Sequence, residues 1–93
     1  MIHSFRDKRT AAVFQGRIPK GFPADLAARA YQKLRMLDAA VVLEDLRLPP
    51  GNRLEALKDD RHGQHSIRVN DQWRVCFVWR DGEAHEVEIV DYH

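Results

Sequence analysis

Ninety-three residues, a formal net charge of +1 and a single cysteine, Cys76, set narrow bounds. The length suits one domain over residues 1–93 with one modest core, and a lone cysteine excludes an internal disulfide or a cysteine metal cluster. No apolar run approaches the roughly 20 residues that span a bilayer, and MIHSFRDKRT lacks the apolar stretch of a secretory signal, so the expected setting is cytoplasmic with no membrane partner.

The opening IHSF reads as a short strand. In FRDKRTAAVFQ, Phe5, Arg9, Ala12 and Val13 fall at helical spacing and Gly16 is a stop signal. IPKGFP is a connector rich in breakers. Pro23 then suits a first helical turn, and Leu26, Ala30, Leu34 and Leu37 form one amphipathic face. That spacing predicts a helix from Ala24 to about Ala39. VVLEDLRLPPGN is a loop centred on Pro-Pro-Gly-Asn at 49–52.

From there the pattern changes to that of strands. RLEAL is a short strand candidate and DDRHG a turn. In QHSIRVN, His65, Ile67 and Val69 alternate with Gln64, Ser66 and Arg68. Asn70-Asp71-Gln72 reads as a tight turn. WRVCFVWR sets Trp73, Val75, Phe77 and Trp79 against Arg74, Cys76, Val78 and Arg80, a segment too apolar for an edge strand. Asp81-Gly82 is a hairpin signal, and the last strand runs from about Ala84 to Tyr92. The expected fold is α+β: two N-terminal helices packed on a small curved antiparallel sheet.

Charge is unevenly distributed along this chain. Residues 47–80 carry seven Lys/Arg against four Asp/Glu, whereas residues 81–93 carry none against five. Either this is a mixed solvated surface, or a phosphate-facing patch lies beside an acidic strand. Arg74 sharpens the second reading, because a mid-strand arginine in a central strand needs a carboxylate or phosphate to meet it. Simple register about the Asp81-Gly82 turn brings Asp91-Tyr92-His93 near Gln72-Trp73-Arg74. RNA cleavage fits such groups. The 2′-hydroxyl is the nucleophile, a carboxylate or imidazole is the base, an imidazole or phenol is the acid, and arginine meets the phosphate. Each residue also has a plainer reading. His93 could be a solvated end, Tyr92 a packed aromatic, Asp91 a turn cap or a partner of Arg74, and Glu55 the wet side of a strand. Trp73 and Trp79 lie in phase with Val75 and Phe77 and read as core. His62 and His65 lack a third ligand, so no metal is expected.

RLEALKDDRHGQHSIRVNDQWRVCFVW followed by VEIVDYH closely resembles the HigB-type toxins of the RelE/ParE superfamily, and the resemblance covers essentially the whole chain. It implies a RelE-like fold and a toxin of a type II toxin–antitoxin system that cleaves mRNA in the ribosomal A site. It implies no cofactor or metal, neutralisation by a HigA-type helix-turn-helix antitoxin, and contact with operator DNA only through that antitoxin. Carried over by position, Asp91, Tyr92 and His93 match the C-terminal functional triplet, and Arg74 matches the arginine that faces the scissile phosphate. Lys58 and Arg61 match the basic residues of the turn; Arg53 and Arg68 complete the expected RNA- and ribosome-binding set. Some HigB toxins carry a histidine where Glu55 stands, so either Glu55 or His93 is the expected base. Two alternatives stand beside this reading. One is a ParE-like poison that binds gyrase without cleaving RNA; the other is a degenerate toxin that only binds its antitoxin.

Overall fold

Asp7 starts the first helix. Its carboxylate accepts the Thr10 N–H at 3.2 Å, so α1 runs Lys8–Phe14 rather than from Phe5, as helical spacing alone predicts. The second helix, α2, spans Ala24–Ala39 and buries Leu26, Ala27, Ala30, Leu34 and Leu37 on one face. Asp25 in its first turn complements the helix dipole. The computed structural model describes residues 1–91; the expected site residues Tyr92 and His93 lie outside them.

Beyond α2 the loop contains two short 3-10 turns, Leu43–Arg47 and Pro50–Asn52. Four strands follow: β1 Glu55–Ala56, β2 His65–Arg68, β3 Trp73–Arg80 and β4 Glu83–Asp91. They form an antiparallel meander in the order β1-β2-β3-β4. The predicted DDRHG turn holds a further 3-10 turn at Asp59–Arg61. Asn70 closes the β2–β3 turn by accepting the N–H groups of Gln72 and Trp73 at 2.9 and 2.8 Å. Asp81 and Gly82 both have positive φ, +55° and +75°, as a two-residue hairpin with the right twist requires.

One sheet face meets the helices. Ile67, Val75, Phe77, Val87 and Ile89 are buried with Leu34 and Leu37 of α2, and Trp73 and Trp79 pack at the margin of that core. Thr10, fully buried, accepts the Ile89 N–H at 3.0 Å and pins α1 to β4. The opening segment is less regular than a strand. It lies parallel to β4 through two isolated bridges, Ile2 with Ala84 and Phe5 with Val87. The reason is a bulge. Cys76 pairs with Glu88 but Val78 with His85, so Phe77 faces both Glu86 and Val87, and Glu86 takes φ +51°. Ser4 fills the break: its hydroxyl accepts the Glu86 N–H at 2.9 Å and its carbonyl the Val87 N–H at 3.0 Å.

Candidate active site

The sheet face away from the core carries the polar chemistry. Directly opposed residues on neighbouring strands share a face. The register opposes Glu55 to Ser66, Ser66 to Cys76, Arg68 to Arg74 and Cys76 to Glu88. A short strand pair, β1 with β2, is therefore enough to bring Glu55 onto the same surface as Arg74.

Arg74 is held firmly, but not by a carboxylate. Its Nε donates to the Ser66 hydroxyl at 2.7 Å, and one terminal nitrogen donates to the Arg53 carbonyl at 2.7 Å and the Ser66 carbonyl at 3.4 Å. Arg53 presents that carbonyl from a left-handed conformation, φ +46°. The sequence leads one to expect a carboxylate or a phosphate at Arg74. Neutral oxygens replace the carboxylate, because Ser66 is the diagonal neighbour on β2 and the Arg53 carbonyl, in the loop before β1, meets the guanidinium. Neutral acceptors orient the group and leave its charge in place.

Arg53, Arg68 and Arg74 line an open hollow of about 330 Å³ together with Asn70 and Asp71. Arg68 stands directly across from Arg74 and pairs with the exposed Asp71 carboxylate. A second hollow, about 620 Å³, is lined by Glu55–Arg61 and so contains Glu55, Lys58 and Arg61. Arg61 is engaged: one terminal nitrogen lies 3.3 Å from the Glu88 carboxylate and 3.0 Å from the Gln64 side-chain oxygen. Arg6 approaches the same carboxylate at 4.0 Å. Cys76, opposed to Ser66 and Glu88 on this face, is almost fully buried. Burial pushes its thiol up, with Glu88 and Glu55 adding to the effect and Arg61 and Arg74 opposing it. It is a protonated packing residue.

Asp91 sits at the far edge. It pairs with Trp73, and Val90 pairs with Arg74. Alternation thus assigns Asp91 to the face of Trp73, although it is at the same end of the sheet as Arg74. The Gln72 amide donates to its carboxylate at 3.1 Å. The triplet's other members, Tyr92 and His93, fall outside the described residues. Among those residues, no group of three or more His, Cys, Asp or Glu side chains could hold a metal ion. Nor is any helix long and apolar enough to cross a membrane.

Sequence reasoning missed four residues in and around this site. Ser66 is a small residue on the wet side of an alternating strand, and Glu88 is one of several acids in the last strand. Asn52 sits in a Pro-Pro-Gly-Asn run that reads as a plain loop, and Lys33 lies among the polar positions of α2. Asn52 is in fact fully buried. It donates to the Leu46 and Leu48 carbonyls, both at 3.2 Å, and accepts from Lys33 Nζ at 2.6 Å. Only knowledge of which strands pair, and of where the 46–53 loop returns, would have found these four.

The family model for the RelE-like toxin of the type II toxin–antitoxin system HigB matches residues 3–93. The chain belongs to this family. It is 33% identical over 93 residues to the Endoribonuclease HigB of Proteus vulgaris, covering the whole of both chains. It is 48% identical over 62 residues to Toxin HigB-1 of Vibrio cholerae, which is 67% of this chain and 65% of that one. Solved structures agree in fold. Chains of a YoeB–YefM complex from Staphylococcus aureus and of a YafQ mutant from E. coli each superpose with a TM-score of 0.61. They are 16% and 12% identical, and the superpositions cover 100% and 98% of this chain and 98% and 93% of theirs. The α+β fold of this HigB family member, two helices on a four-stranded antiparallel sheet, is thus RelE-like.

Proposed function

We propose that this HigB family toxin is a metal-independent endoribonuclease that cuts mRNA on the ribosome by attack of the RNA 2′-hydroxyl, and that its working surface is the sheet face bearing Glu55 and Arg74. The observation that supports this best is the state of Arg74. Its guanidinium is oriented by Ser66 and the Arg53 carbonyl, and one terminal nitrogen has no partner among the described residues. Arg68 faces it across the strand pair. Like charges so placed repel one another in the free protein, and an incoming phosphate relieves that repulsion.

In this reading Arg74 stabilises the charge that builds on the scissile phosphate. Glu55, opposed to Ser66 on the same face, accepts the 2′-hydroxyl proton. His93 protonates the departing 5′-oxygen, and Tyr92 and Asp91 orient substrate and imidazole. Each proton-transfer role is worth about 10²–10⁴-fold. Arg53, Lys58, Arg61 and Arg68 hold RNA and ribosome by their charge. The ribosome positions the message, and positioning supplies much of the barrier reduction that a small set of groups cannot. The partner is a HigA-type helix-turn-helix antitoxin, through which the toxin reaches operator DNA.

Primer extension on a reporter mRNA, with and without ribosomes, tests this reading. Wild type should cut only with ribosomes, and Arg74→Ala should abolish cutting while remaining folded. Loss of cutting in Glu55→Gln assigns the base to Glu55; full activity there, with loss on removing His93, moves the base to His93. An intact message under every condition would end the nuclease reading.

A further inference from the structure

Arg29 and Lys33 lie one turn apart on α2, the first exposed and the second half-buried. Among the described residues neither forms an ion pair, and the same holds for Arg53 and Arg74. Lys33 is fixed in place. Its Nζ donates to the Asn52 side-chain oxygen at 2.6 Å, and Asn52 is anchored by its own bonds to two backbone carbonyls. The residue after Asn52 is Arg53, which lines the arginine hollow. The lysine is therefore tied to the loop that carries one arginine of that hollow.

The ammonium also feels what surrounds it. Burial holds it below the usual lysine range, and the Arg29 and Arg68 charges push the same way. Arg68 in turn faces Arg74. Five cations thus make one connected set: Arg29 and Lys33 on α2, and Arg53, Arg68 and Arg74 in the hollow, linked through Asn52 and through the charge of Arg68. Among the described residues one carboxylate pairs with it, that of Asp71, whose side chain is 99% exposed. Cations set near one another repel in the free protein, and a polyanion compensates them.

We propose that Arg29 and Lys33 form a second phosphate-binding site, which takes a backbone phosphate of single-stranded RNA beyond the one met by Arg74. The strand then leaves the arginine hollow and crosses onto α2. This rests on the reading of the hollow as an RNA site. It adds a direction for the strand and two residues that no motif in the sequence marks.

The test is binding of a short 2′-O-methyl RNA oligonucleotide, which cannot be cut because its 2′-hydroxyls are blocked, followed by fluorescence anisotropy over a series of salt concentrations. Arg29→Gln with Lys33→Gln removes two charges and keeps an N–H donor for Asn52. Arg17→Gln with Lys20→Gln removes the same charge elsewhere. The first pair should lower the slope of log affinity against log salt by about 1.4, roughly 0.7 for each single-strand phosphate no longer neutralised. The control should leave the slope near that of wild type. Arg29→Gln alone, at an exposed position, should lower it by about 0.7 and guards against a misfolded double variant. An equal fall in both pairs, or no fall in the first, overturns the site. Wild-type protein that binds the oligonucleotide with the expected slopes but never cuts unmodified message overturns the nuclease reading alone.

Discussion

Arg74 and Ser66 are joined across β3 and β2 by a 2.7 Å hydrogen bond from Nε to a hydroxyl that solvent does not reach. That bond sets the plane of the guanidinium before any substrate arrives. Ser66→Ala removes the hydroxyl with little change of volume, so the fold should hold. Cleavage should fall about tenfold to hundredfold, the range of a missing hydrogen bond to a charged group, mainly in kcat at little change of KM. Ser66→Thr, which keeps the hydroxyl, should recover part of the loss. Unchanged kcat in a folded Ser66→Ala protein would show that Arg74 needs no such guide.

Glu88 neutralises a residue expected to hold RNA. Its carboxylate lies 3.3 Å from Arg61 and 4.0 Å from Arg6. Glu88→Gln should free that charge, tighten binding of single-stranded RNA severalfold and raise the salt slope by about 0.7, the effect of neutralising one more phosphate. Anisotropy titrations with the uncleavable oligonucleotide read both quantities. Weaker binding in this variant would mean that Glu88 holds Arg61 in its RNA-binding pose instead of competing for it.

Asn52 ties the 46–53 loop to α2. Asn52→Ala would leave the Leu46 and Leu48 carbonyls and Lys33 without their partner. Buried groups so stranded cost about 1–3 kcal/mol each when water cannot replace the bond. A total loss of about 2–4 kcal/mol is expected from urea unfolding, since Lys33 can turn toward solvent. A loss below about 0.5 kcal/mol, the scale of a neutral surface change, would mean the loop holds by its apolar packing alone.

Asp45 gives the fold a pH dependence. It accepts the N–H groups of Val41 and Val42 at 2.9 and 3.2 Å, and those bonds hold its carboxyl below the usual aspartate value. A depressed folded-state pKa contributes stability above the unfolded value, and that contribution is lost as pH falls through the lowered one. Wild type should therefore melt above Asp45→Asn at neutral pH, with the gap closing in acid. A gap that stays constant with pH would assign the effect to packing of the 3-10 turn.

The sequence by itself determined most of the secondary structure. Periodicity placed α2 at Ala24–Ala39 and β3 at Trp73–Arg80, because one face of each had to be apolar and the other could not be. Asp81-Gly82 fixed the last hairpin, because few residue pairs accept two positive φ values in succession. Motif resemblance supplied the family. The start of α1 needed the Asp7 cap, and the ragged opening segment needed the bulge at Glu86. Both depend on interactions that periodicity does not encode. The candidate site was expected as a set of residue types and no further. Which acceptors meet Arg74, which carboxylate engages Arg61, and that a lysine of α2 bonds the loop residue before Arg53 were decided by register and loop return. Those pairings join residues 8 to 27 positions apart in the chain. A local pattern carries the tendency of a segment to be helix or strand; it holds no information about which distant segment will lie beside it. Packing of the shared core settles that, and with it the chemistry of the opposite face.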